Sequence, residues 1–82
     1  MKTLRSRGHR VLRAVLVEVR EKAGLTQQQF ADRLRWLQSR VAKIEVGERG
    51  IDPVECVAWG KACGMTVRAF FALLARRFEA GI

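Results

Sequence analysis

The chain of 82 residues has no tyrosine, one proline, one histidine and two cysteines. Each scarcity removes a class of protein. No nucleophile stands beside a base in a recognisable motif, the single histidine, His9, lacks the partners of a triad, and so short a chain is expected to make one small domain. No enzyme activity and no cofactor are expected. Cys56 and Cys63 lie in a stretch of helical periodicity; seven residues of helix put their Cα atoms roughly 10.5 Å apart, beyond disulfide reach. With no second pair or His cluster nearby they are not expected to hold a metal, and they read as free thiols of a reducing cytoplasm. No apolar run approaches the roughly 20 residues of a membrane-spanning helix. The segment VLRAVLV is interrupted by Arg13 and runs into Glu18 without a small-residue cleavage site, so a secretory signal is not expected either. The expected location is the cytoplasm.

Positive charge is what the chain has in excess. Lys and Arg number 16 against 8 Asp and Glu, a net charge of +8, while 49% of residues are hydrophobic. That combination describes a packed globule with a polyanionic partner, either nucleic acid or an anionic membrane. The surplus is concentrated. Residues 1–13 hold Lys2, Arg5, Arg7, Arg10 and Arg13 with no acid, and residues 33–49 hold Arg33, Arg35, Arg40, Lys43 and Arg49 against Glu45 and Glu48. Elsewhere the two signs nearly cancel. Residues 1–9 are read as a basic arm, either simply solvated or lying along a polyanion, 10–78 as the folded domain, and 79–82 as a tail.

Strand signals are absent and apolar residues recur at threes and fours, which predicts an all-α fold of five helices. The first covers about 8–23, with Val11, Val15 and Val19 beside Leu12 and Leu16 as its inward stripe, and stops at Gly24. The second, about 27–34, carries the clearest start signal: Thr26 with Gln29 as a capping box, flanked by Leu25 and Phe30 as a hydrophobic staple. The third, about 38–46, has Val41 and Ile44 on one face, Ser39, Arg40 and Lys43 on the other, and ends at Gly47. Pro53 opens a fourth helix that runs to Cys63. Thr66 caps a fifth whose Phe70, Phe71, Leu74 and Phe78 exceed the apolar surface one core needs.

Two short helices joined by a turn around Arg35 to Leu37 have the layout of a helix-turn-helix. The segments GLTQQQFADRL and QSRVAKIEVGER closely resemble the XRE or lambda-repressor-like helix-turn-helix family, and the resemblance extends from about Val11 to Leu74. It implies a compact five-helix DNA-binding domain whose third helix, 38–46, enters the major groove. Gln38 then suits a bidentate contact to adenine, Arg40 or Lys43 a contact to guanine, and Ser39 lies beside them. The resemblance gives Gln27 the role of a phosphate clamp; Arg49, with Arg33 or Arg35, suits further phosphate contacts. It also implies an ion pair between Arg20 and Glu45, and core positions for Trp36 and Trp59.

The chain departs from the family pattern at Arg35, where glycine is usual, and at Trp36 and Leu37, where a Ser or Thr cap is usual. A rebuilt turn and a third helix starting a residue away from 38 are the expected consequences; Arg40 and Ala42 also replace commoner small or hydroxylated residues, so the preferred DNA sequence is expected to differ from a relative's. The expected function is sequence-specific binding of double-stranded DNA as a transcriptional regulator, a repressor acting as a homodimer through the fifth helix. One subunit reads too few base pairs for discrimination in a genome, which is the reason for expecting two. The alternative is an antitoxin that binds a toxin or other effector protein and autoregulates its operon; a third reading is a basic helical protein that coats RNA or lipid.

Overall fold

Ser6 starts the first helix by accepting the His9 amide at 3.2 Å, and α1 then runs Arg7–Lys22. The computed structural model describes residues 6–81, so Lys2 and Arg5 of the basic arm lie outside the described residues. Gly24, with φ 76, turns the chain after α1 toward α2, Gln27–Leu34. Both halves of the expected capping box are made: the Gln29 amide donates to Thr26 Oγ1 at 3.1 Å, and the Thr26 amide to Gln29 Oε1 at 2.9 Å. Then follow α3, Gln38–Val46, α4, Pro53–Ala62, and α5, Val67–Gly81. The bounds of α2 and α3 are those read from the sequence. α1 sits one residue earlier than expected at each end, and Cys63 caps α4 instead of belonging to it. Helix also takes in Arg7 to His9 of the proposed arm and Glu79 to Gly81 of the proposed tail.

The turn between α2 and α3 takes the left-handed conformation that glycine favours, but at a non-glycine residue. Arg35 adopts φ 60 and ψ 38 and its amide closes on Ala31 and Asp32. An L side chain in this left-handed region costs about 1–2 kcal/mol, and glycine would lose more backbone entropy on folding. Arg35→Gly is therefore expected to stabilise the domain by roughly 0.5–1 kcal/mol, raising Tm by a few degrees in thermal denaturation. Leu37 stands at the N-cap of α3 with no side-chain hydrogen bond and is 76% exposed, yet α3 begins at Gln38, without the shift that the missing cap implied.

α2 packs on α3 and α4, α1 on α3 and α5, and α4 on α5. Val15, Leu16 and Val19 of α1 meet Phe30 and Ala31 of α2, Val41 and Ile44 of α3, Cys56 and Trp59 of α4, and Phe70 of α5 in one core. Trp59 is its centre: fully buried, edge-on to Phe30 with ring centroids 4.6 Å apart, its indole N–H donating to the Leu16 carbonyl at 3.0 Å. Trp36 is half-buried at the rim, 6.3 Å from Trp59. Phe70 corrects the expected dimer surface. It is fully buried, because Gly60 lets it approach so closely that a Cβ there would lie 2.9 Å from its ring. Of the four residues nominated on α5, Phe71 and Phe78 remain exposed and Leu74 packs against the core. Arg77 of α5 clamps Glu18 of α1 through two hydrogen bonds of 2.8 and 2.6 Å, which hold that carboxyl down at about 2.

Both cysteines are free, Cys56 buried and Cys63 half-buried, and burial raises both thiols, Cys63 to about 11. They are protonated, unreactive groups. Among the described residues no cluster of metal-ligating side chains occurs, and no single helix is long and apolar enough to cross a membrane.

Candidate nucleic-acid interface

The face of α3 that points away from the core is set by helical periodicity. Val41 and Ile44 point inward, which turns Ser39, Lys43 and Val46 outward, all three exposed. At the first turn, Gln38 donates from Nε2 to Gln27 Oε1 of α2 at 2.7 Å. Gln27 in turn donates from its own Nε2 to Glu45 Oε1 at 2.9 Å. Glu45 receives Arg20 of α1 at 2.6 Å through Nε and 3.0 Å through the guanidinium tip, and Arg20 also donates to the Leu25 carbonyl at 2.7 Å. The expected Arg20–Glu45 ion pair is thus present, with the two side chains only 10% and 5% exposed. It is the buried root of a chain of hydrogen bonds ending at Gln38.

This chain fixes what the two glutamines have left to offer. An amide side chain has two N–H donors and one acceptor oxygen with two lone pairs. Gln38 spends one donor on Gln27, keeping its oxygen and one N–H; that pair matches the donor and acceptor of an adenine edge in the major groove. Gln27 commits one lone pair of its oxygen and one donor, keeping one N–H, the group a phosphate oxygen accepts.

Arg40 and Arg49 are held differently. Arg40 lies across the Trp36 ring, its guanidinium carbon 4.0 Å from the centroid, and donates to Glu55 of α4. Arg49, in the loop after α3, donates to the same carboxylate at 3.0 and 3.3 Å and to the Gly50 carbonyl at 3.0 Å. Arg49, with the Asp52 amide and Arg40, holds Glu55 down at about 2, an anion at any neutral pH. Arg33 reaches the Ala62 carbonyl at 3.2 Å, and Arg35 is exposed at the turn. Of the six nominated residues, Gln27 and Gln38 are joined directly, Ser39 and Lys43 share the open face, and Arg40 and Arg49 converge on Glu55.

Glu55 was not singled out from the sequence. The signal that marks it is the Asp52-x-x-Glu55 spacing: Glu55 donates its amide to Asp52 Oδ1 at 2.7 Å and accepts the Asp52 amide at 3.0 Å. A capping box explains the pair but gives no hint of the two arginines.

The fold has a solved counterpart in an XRE-family like protein from Pseudomonas syringae pv. tomato str. DC3000, 33% identical, with 92% of each chain covered and a TM-score of 0.80. A comparison with curated proteins gives no match. A helix-turn-helix family model matches residues 16–70, from the core of α1 through α2, α3 and α4 to Phe70. Together these likenesses support a DNA-binding regulator, in a family whose members are generally not enzymes, and the chain belongs to the XRE family of helix-turn-helix proteins.

Proposed function

We propose that the protein binds double-stranded DNA sequence-specifically, as a homodimeric transcriptional repressor that reads base edges with the first turn of α3. The observation that carries this reading is the Gln27–Gln38 pair, which leaves the adenine-matching half of Gln38 unspent at the start of an exposed helix. Ser39 and Lys43 extend the reading surface along the same face, and Gln27, Arg49, Arg33 and Arg35 supply phosphate contacts that set register. Arg40 joins the readers when it leaves Glu55. Val67, Phe71 and Phe78, exposed along α5 at spacings of four and seven residues, form the dimer surface.

Selection from a random pool of duplexes tests the reading. A site with two related halves, centred about 34 Å apart, is the expected product. Gln38→Ala combined with Ser39→Ala preserves net charge and is expected to lower the preference for that site over random DNA by roughly 10- to 100-fold per half, the value of a good bidentate base contact. Selection unchanged in this variant refutes the reading, since the basic clusters alone would then account for binding.

A further inference from the structure

We infer that Glu55 restrains DNA binding by tethering Arg40 and Arg49, so that Arg40 is withheld from random phosphates and released only at a matched site. The inference rests on the DNA-binding reading and adds to it a residue that need not touch DNA.

One carboxylate faces two guanidinium groups. Glu55 is 12% exposed at its side chain, against 35% for Arg40 and 39% for Arg49, so the anion is the buried partner and the cations reach the surface. A single negative charge cannot neutralise both, and a DNA phosphate competes for the one held less well. That one is Arg40. Arg49 makes two hydrogen bonds to Glu55 and a third to Gly50, whereas Arg40 makes one, from a single terminal nitrogen. Its Nε is buried with no hydrogen-bond partner at all. In this position Arg40 gains the Trp36 stack and the Glu55 charge but forgoes one donor; leaving satisfies that donor and gives up the other two interactions. A random phosphate offers a charge in exchange for a charge. A guanine edge aligned with α3 offers two acceptors in fixed geometry as well, and only then does leaving win. Arg40 starts from the α3 turn that already carries Gln38 and Ser39, so the released side chain needs to travel no farther than its own length.

Glu55→Gln tests this with the fold preserved, because glutamine also completes a capping box. Glu48→Gln is the matched control: it removes one negative charge from an exposed position beside Arg49 without touching the tether. Binding to a random-sequence duplex is titrated across salt concentrations for both variants and for Glu55→Gln combined with Arg40→Met, and compared with the selected site. The expected result is that Glu55→Gln binds random DNA roughly tenfold more tightly than Glu48→Gln, with a salt slope steeper by about 1, one extra phosphate contact. The selected site should gain at least as much, because only there does the parent chain bear the cost of releasing Arg40, and Arg40→Met should abolish the excess. Equal slopes for the two single variants, or weaker random binding by Glu55→Gln, overturn the tether. If, in addition, Gln38→Ala with Ser39→Ala still lowers the preference for the selected site, the tether alone is lost. No DNA binding by the parent chain removes both readings together.

Discussion

Glu45→Ala is expected to destabilise the domain by about 3–5 kcal/mol, the cost of leaving a buried charge without its partner. Arg20 is 10% exposed at its side chain and keeps only the Leu25 carbonyl after the change, so its guanidinium is stranded where solvent cannot repay the lost interaction. For a chain of this length each kcal/mol moves Tm by roughly 4–8 °C, so a fall of more than about 12 °C is expected in calorimetry. A fall of under 3 °C would mean that Arg20 turns out to water and that the pair is incidental. The substitution has a second expected effect, read at temperatures where the variant stays folded. Gln27 loses its acceptor on Glu45, so Gln38 loses its support and preference for the selected site drops. Arg20→Met with Glu45→Leu separates the two: apolar replacement of both partners restores most of the stability, while Gln27 still lacks its anchor.

Trp59→Ala is expected to cost about 3–5 kcal/mol, since it empties the largest fully buried position and leaves a cavity that Phe30 and Phe70 cannot fill. Total stability for a domain of this size is about 4–12 kcal/mol, so roughly a quarter of the margin or more disappears. Denaturant midpoints are the measurement, with Trp59→Phe as comparison. Phenylalanine keeps an aromatic ring against Phe30 but loses the indole donor to the Leu16 carbonyl, and about half of the alanine effect or less is expected. Equal losses for the two would show that the hydrogen bond, not the volume, carries the position.

The helices were legible because their end signals are local. Thr26 with Gln29, Gly24, Gly47 and Pro53 each act within one turn and mark the start of α2, the ends of α1 and α3 and the start of α4, whereas the end of α2 and the start of α3 were legible through the family pattern. The Arg20–Glu45 pair was legible only through the family pattern, because nothing in a sequence relates positions 25 residues apart until a fold is assumed. Phe70 was misassigned for a physical reason: a helix with apolar residues on most of its circumference does not say which face wins. Gly60, ten residues earlier on another helix, decides it by opening space for one ring. Glu55 escaped notice because its capping role is complete within four residues, and its second role requires three elements to meet. Arg40 was nominated as a reader from its place on the outer face of the third helix and the family resemblance, neither of which carries information about the Trp36 ring beneath it.

The open side of α3 divides into two regimes. Gln38 is bonded through Gln27 and Glu45 into the interior, so exchanging it disturbs the body of the domain. Ser39 and Lys43 stand exposed on the same helix, where substitutions shift stability by no more than about 0.5 kcal/mol. Under the proposed reading, new operators are reachable by single changes at positions 39 and 43 without compensating changes elsewhere, so target preference can drift on one unaltered scaffold.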